Sequence, residues 1–348
     1  MRYLSEERLE LFMERAAELR TMYVPTDNAG GASYTKWTKG TVISNALHTT
    51  RSAKDFFFPQ TEDIVQFKMS GKAIEIVDPR RETEDFAVFG VRACDVHSFE
   101  LLDRVFLCDP VDTYYKNRRE HGLILGLSCT RPAETCFCTT FGIDAARPMA
   151  DADFTKVNGG YFVRANTERG EEFLSALSDL FEERDEAEAV AVEERTREIM
   201  KKLPLSSLTT EGFGGDRLDA LFEREEWTEL SEACLACGTC TFVCPTCQCY
   251  DIRDYDTGHG ICRFRCWDSC MYSDFTKMAH GNPRLTQKER FRQRFMHKLV
   301  YFPSNNEGEF GCVGCGRCLA SCPIHMNIVK VMKKLSNTKE TKEERGND

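Results

Sequence analysis

Two segments of the sequence repeat one spacing. Cys234, Cys237, Cys240 and Cys244 precede Pro245, and Cys312, Cys315, Cys318 and Cys322 precede Pro323, each a C-x2-C-x2-C-x3-C-P run. No other feature constrains the fold as tightly. Three thiols at intervals of three wrap a tight loop around three corners of a [4Fe–4S] cubane, and the fourth, expected on a helix after the loop, reaches the other cubane. Crossed ligation assigns Cys234, Cys237, Cys240 and Cys322 to cluster A, and Cys312, Cys315, Cys318 and Cys244 to cluster B. Gly238 and Gly316 allow backbone N–H groups to turn toward the sulfides. A structural zinc site expects two separated C-x2-C pairs, which the third cysteine and the closing Cys-Pro fit poorly.

The chain carries 18 cysteines in 348 residues. Its start, Met1-Arg2-Tyr3-Leu4, has no apolar signal region, and no run approaches a membrane span. The expected location is the cytoplasm, where cysteines read as metal ligands before they read as disulfides. A net charge of −10 argues against a nucleic-acid partner. Hydrophobic residues at 41% and charged residues at 29% match an ordinary soluble protein, long enough for two domains.

The predicted class is α+β. An N-terminal mixed α/β domain covers 1–168 and a charged helical bridge covers 169–222. A mostly helical, ferredoxin-like two-cluster domain covers 223–335, and a disordered tail covers 336–348. Apolar spacing predicts a helix over 5–20, strands at 63–68, 73–77, 86–91, 123–127 and 161–164, and helices at 98–107 and 111–120. Beyond about residue 205 strand signals fade, and the long insertion between Cys244 and Cys312 suggests further helices. Its basic stretch (Arg284, Lys288, Arg290, Arg292, Arg294, Lys298) reads first as a solvated helix face. Docking of an acidic partner and compensation of cluster charge are the alternatives.

Ten cysteines lie outside the arrays. Cys247, Cys249, Cys262, Cys266 and Cys270 read first as inert thiols near a cluster. A further metal site is open, since Cys247 and Cys249 form C-x-C and the other three run at a helical spacing of four. In the N-terminal half, Cys94 follows the strand at 86–91 and Cys129 follows that at 123–127. Loops at the carboxyl ends of neighbouring α/β strands converge on one crevice, over which Cys136 and Cys138 could fold. A third cluster, buried structural thiols and a redox pair all remain open on spacing alone. Cys108 is the spare.

Several segments together resemble the iron–sulfur β-subunit of cytoplasmic NiFe sulfhydrogenases and the related A subunit of anaerobic sulfite reductase. They are Phe89-Gly-Val-Arg-Ala-Cys94-Asp95, Tyr114–Glu120, Ser128-Cys129, Cys136-Phe-Cys138, Cys244-Pro-Thr-Cys-Gln-Cys-Tyr250, Trp267–Cys270 and the second array. The resemblance implies three [4Fe–4S] clusters, with Cys94, Cys129, Cys136 and Cys138 holding the third (cluster C). It also implies a partner FAD/NAD(P)H flavoprotein and a catalytic subunit of hydrogenase, sulfite reductase or heterodisulfide-reductase type.

The expected function is therefore electron transfer between those partners, with no catalytic residue on this chain. Flavin and nicotinamide are expected on the partner, because Glu211-Gly-Phe-Gly-Gly215 lacks the full dinucleotide fingerprint and its strand-to-helix setting. The rival expectation is an oxidoreductase in its own right that reduces a substrate at the N-terminal cluster, using Arg92, Asp95 or His97.

Overall fold

The computed structural model of the chain describes residues 1–336. Its N-terminal half is built on an eight-stranded mixed sheet. Four parallel strands form the centre: Thr21–Asn28, Phe86–Val91, Gly122–Leu127 and Ala152–Val157, adjacent in that order. Gly31–Lys36 flanks one side, and Gly160–Ala165, Arg2–Ser5 and Glu182–Glu183 continue the other.

Every residue of Phe86–Val91 is buried. Ala87 and Phe89 face a core shared with the helices Leu9–Leu19 and Glu168–Ser175. Phe86, Val88 and Val91 face another, shared with Ala93–Phe106 and Thr113–His121. A strand covered on both faces reads as a continuous apolar run, which is why it stands out in the sequence. The expected strands at 86–91, 123–127 and 161–164 all lie in this sheet, and the helices expected at 98–107 and 111–120 lie against it.

The expected strands at 63–68 and 73–77 exist but leave that sheet. Thr61–Ser70 and Ala73–Val77 join Tyr250–Asp256 and Gly260–Trp267 in a second, antiparallel sheet, with Gly260–Trp267 paired to Thr61–Ser70. The insertion between the two arrays therefore contains a β-hairpin that was not expected, ahead of the further helices that were, Gln287–Met296 and Phe302–Asn305. Alternation of apolar and charged residues, closed by Asp256-Thr-Gly-His-Gly260, gives the period of two that makes a strand. Cys262 and Cys266, four apart, fit one face of that strand as well as a helix.

Two expected boundaries shift. Glu182–Glu183 pairs with Arg2 and Tyr3, and Phe173, Leu174, Leu177 and Leu180 fill the first core, so the N-terminal unit continues past residue 168. Ser336 closes the helix Ile328–Ser336 rather than beginning a disordered tail, and residues 337–348 lie outside the described residues.

The C-terminal helices Glu226–Glu232, Gln287–Met296 and Ile328–Ser336 pack around Trp227, Phe291, Leu299 and Met332. Thr286 and Glu289 form a capping box that starts the second of them. Among the described residues no helix is long and apolar enough to cross a membrane.

Candidate metal centres

The two arrays share one backbone path. Ala236 and Gly314, two residues after the first cysteine of each, have φ of 52° and 59°, and Gly238 and Gly316, four after, have 73° and 79°. These left-handed turns aim N–H groups inward. The N–H of Ala236 donates to Cys234 Sγ at 3.4 Å, and that of Gly314 to Cys312 Sγ at 3.5 Å. Ala236 adopts a conformation that glycine reaches without steric cost, a strain held at a site.

Gly238 and Gly316 cap the one-turn helices Thr239–Phe242 and Arg317–Ala320. Cys240 and Cys318 lie on these turns, while Cys244 and Cys322 follow them instead of sitting on a helix as expected. The exiting chain carries each fourth cysteine across to the other loop. Cys234 has Cys240, Cys237 and Cys322 as thiol neighbours, and Cys318 has Cys315, Cys312 and Cys244. Burial pushes the Cys312 thiol up to about 11 and that of Cys315 to about 12. A metal that displaces the proton relieves this penalty.

The N-terminal cysteines also gather. Cys94 sits on the first turn of Ala93–Phe106, beyond the strand Phe86–Val91, and Cys129 lies two residues past the neighbouring strand Gly122–Leu127. The following loop returns over both. Cys94, Cys129, Cys136 and Cys138 are 5–6% exposed and belong to one buried group that also holds Cys315. Cys138 neighbours Cys129 and Cys136, and Cys94 neighbours Cys138. All four are free thiols. Burial drives Cys129 up to about 11.

This group is locked to the second array. The Phe137 N–H donates to the Gly314 carbonyl at 2.9 Å, and the Phe137 ring enters the C-terminal helical core. A Cβ at Gly314 would lie 2.4 Å from the Phe137 carbonyl oxygen, and one at Gly316 2.5 Å from that of Thr135. Two glycines of the second array thus let the Cys136-Phe137-Cys138 loop lie against it.

The polar residues around Cys94 are largely committed to structure. Arg92 donates to the carbonyls of Ala46, Leu47, Leu127 and Ser128. Asp95 pairs with Arg317, and His97 turns to Glu100 at 3.0 Å. Sequence reasoning missed His48, whose Nε2 lies 3.9 Å from Cys94 Sγ, because nothing near it in the chain marks it.

It also missed Lys54, one of three buried cations beside the arrays. Lys54 donates to the carbonyls of Cys244 and Cys247, at 3.0 and 2.9 Å. Lys298 donates to the Thr246 hydroxyl and the Gly311 carbonyl, at 2.7 and 2.8 Å. Arg294 donates to the Cys240 carbonyl at 3.0 Å and to Cys247 Sγ at 3.7 Å, leaving its Nε buried without a partner. Burial lowers the Lys54 ammonium. It opposes Lys298 and Arg294 too, yet the facing cysteines raise both. Buried cations whose hydrogen bonds go to carbonyls, a hydroxyl and sulfur need nearby negative charge. Anionic iron–sulfur clusters on these thiolates fit that need, and so does the orphaned Arg294 Nε. Two members of the basic stretch, Arg294 and Lys298, are thus buried rather than on a solvated face.

Of the cysteines outside the arrays, Cys108 is exposed and its thiol donates to the Val105 carbonyl at 3.1 Å. Cys262 and Cys266 sit on the hairpin strand Gly260–Trp267. Cys247, Cys249 and Cys270 lie between the arrays, with Cys247 in contact with Cys244 and Cys249 with Cys270.

Comparisons with known proteins agree with this geometry. Residues 233–326 match the 4Fe-4S dicluster domain family. Across 342 residues the chain is 35% identical to the sulfhydrogenase 2 subunit beta of Pyrococcus furiosus, covering 95% of this chain and 98% of that protein.

Proposed function

Since the chain belongs to the sulfhydrogenase β-subunit family, and is an iron–sulfur electron-transfer subunit, we propose that it relays single electrons between a flavoprotein that binds FAD and NAD(P)H and a separate catalytic subunit. The catalytic partner is of hydrogenase, sulfite reductase or heterodisulfide-reductase type. Three [4Fe–4S] clusters supply one-electron chemistry when bound. Cys234, Cys237, Cys240 and Cys322 hold the first, Cys312, Cys315, Cys318 and Cys244 the second, and Cys94, Cys129, Cys136 and Cys138 the third. Flavin and nicotinamide sit on the partner.

The observation that carries this reading is the Phe137 N–H bond to Gly314, which joins the N-terminal thiol group to the second array. It supports a linear order with the Cys312–Cys318 set in the middle. The two ends then face different surfaces and suit different partners. The chain's own residues set the conditions of transfer. Inward N–H groups and buried cations stabilise added negative charge, and the surrounding apolar side chains exclude water.

Two measurements test the reading. Native complexes isolated anaerobically are expected to contain a flavoprotein and a catalytic chain by mass spectrometry, and NAD(P)H is expected to reduce this chain's clusters through them. The isolated chain with an artificial donor is expected to turn over no substrate. Turnover without a partner would overturn the relay.

A further inference from the structure

Three thiols outside the two C-x2-C-x2-C-x3-C-P runs, Cys247, Cys249 and Cys270, lie between the arrays. Register brings two of them together. Tyr250 pairs with Trp267 at the base of the hairpin, and the Asp268 N–H extends the ladder to the Cys249 carbonyl at 3.0 Å. Cys270, two residues on, then meets Cys249, and the two side chains are hydrogen-bonded. Cys270 is 8% exposed, Cys249 is half-buried, and both are free.

The pair is one segment of a longer row of sulfur. Cys270 neighbours Cys240 of the first array, Cys249 neighbours Cys247, and Cys247 is in contact with Cys244. Cys240 and Cys244 belong to different ligand sets in the crossed assignment, so the row spans both. Arg294 stands beside it, donating to Cys247 Sγ at 3.7 Å.

We propose that Cys249 and Cys270 form a dithiol–disulfide couple, a two-electron redox site set between the iron–sulfur clusters ligated by Cys240 and Cys244. In the oxidising direction two S–H bonds break and one S–S bond forms. Two electrons leave, one to each of those clusters as one-electron acceptors, and two protons pass to water beside the half-exposed Cys249. Reduction reverses each change. Such a couple would let a chain of one-electron carriers hold electrons in pairs, as a hydride donor delivers them.

The inference rests on the ligand reading above only for where the electrons go. Its test uses the full chain with its clusters, poised anaerobically at a series of potentials, quenched in acid, alkylated with N-ethylmaleimide and mapped by peptide mass spectrometry. At oxidising potentials the peptides bearing Cys249 and Cys270 are expected as a cross-linked pair, lighter by two hydrogens and unalkylated. At reducing potentials each carries one label. A Cys249→Ser variant, or Cys270→Ala if that one folds poorly, is expected to lose the cross-link and keep its full iron content. The wild-type map decides the matter without either variant. Labelling of both thiols at every potential at which the clusters are oxidised would overturn the couple. So would loss of about four irons per chain in the variants, which would make these cysteines cluster ligands. Neither result depends on whether Cys94, Cys129, Cys136 and Cys138 hold a third cluster.

Discussion

Asp95 and Arg317 form a bidentate ion pair, with Oδ1 and Oδ2 at 2.5 and 2.7 Å from the two Nη atoms, and both residues are buried. Asp95 follows Cys94 in the chain, and Arg317 lies between Cys315 and Cys318. The pair therefore ties the N-terminal thiol group to the second array, alongside the Phe137–Gly314 hydrogen bond. Removing one partner strands the other charge in the interior. Asp95→Asn is expected to cost about 3–5 kcal/mol, read as a fall in the denaturant midpoint of the anaerobic protein. The double variant Asp95→Asn/Arg317→Met is expected to recover part of that loss.

Gly314 is where the two loops meet most closely. With φ at 59° and the Phe137 carbonyl 2.4 Å from where a Cβ would stand, alanine meets backbone on both counts. Gly314→Ala is expected to destabilise the chain by more than the roughly 1–2 kcal/mol of a left-handed L-residue. It should also slow electron exchange between the N-terminal and C-terminal centres, measured by rapid-freeze EPR. Gly142→Ala, also at positive φ but with open space around it, should show only the stability cost.

Lys298 places a buried positive charge beside Cys244, Cys247 and Cys312. Replacing it with methionine keeps the stem and removes the charge, so reduction, which adds negative charge, becomes harder. The midpoint potential of the cluster on Cys312 is expected to move negative by on the order of 50–100 mV in an EPR redox titration, the Coulomb energy of one partly screened charge. An unchanged potential would mean that Lys298 serves packing alone.

Cys108, Cys262 and Cys266 stand apart from the three thiol groups, one exposed and two on a hairpin strand. The triple serine variant is expected to leave iron and sulfide content unchanged and to shift stability by less than about 1 kcal/mol in total, since surface substitutions away from special features cost little.

The arrays were legible because cubane ligation imposes a spacing on consecutive residues, and the parallel strands because burial on both faces leaves an unbroken apolar run. The crevice at Cys94 and Cys129 followed from that strand order. What the chain did not announce depends on contacts between distant segments. Lys54 looks like any charged residue before an aromatic run, yet it ends beneath the carbonyls of Cys244 and Cys247. The hairpin at 250–267 was hidden by its cysteines, whose spacing of four suits a helix as well as a strand. Arg294 and Lys298 look solvated in a basic stretch, and only the fold puts them beside thiolates.

The central claim is a third cluster on Cys94, Cys129, Cys136 and Cys138, linked to the others through the Phe137–Gly314 contact. Iron and acid-labile sulfide counted on anaerobically purified protein test it most directly, with Cys138→Ser beside the wild type. About twelve irons per chain, falling toward eight in the variant, are predicted, since each cubane carries four. A wild-type count near eight, unchanged by the substitution, would contradict the account.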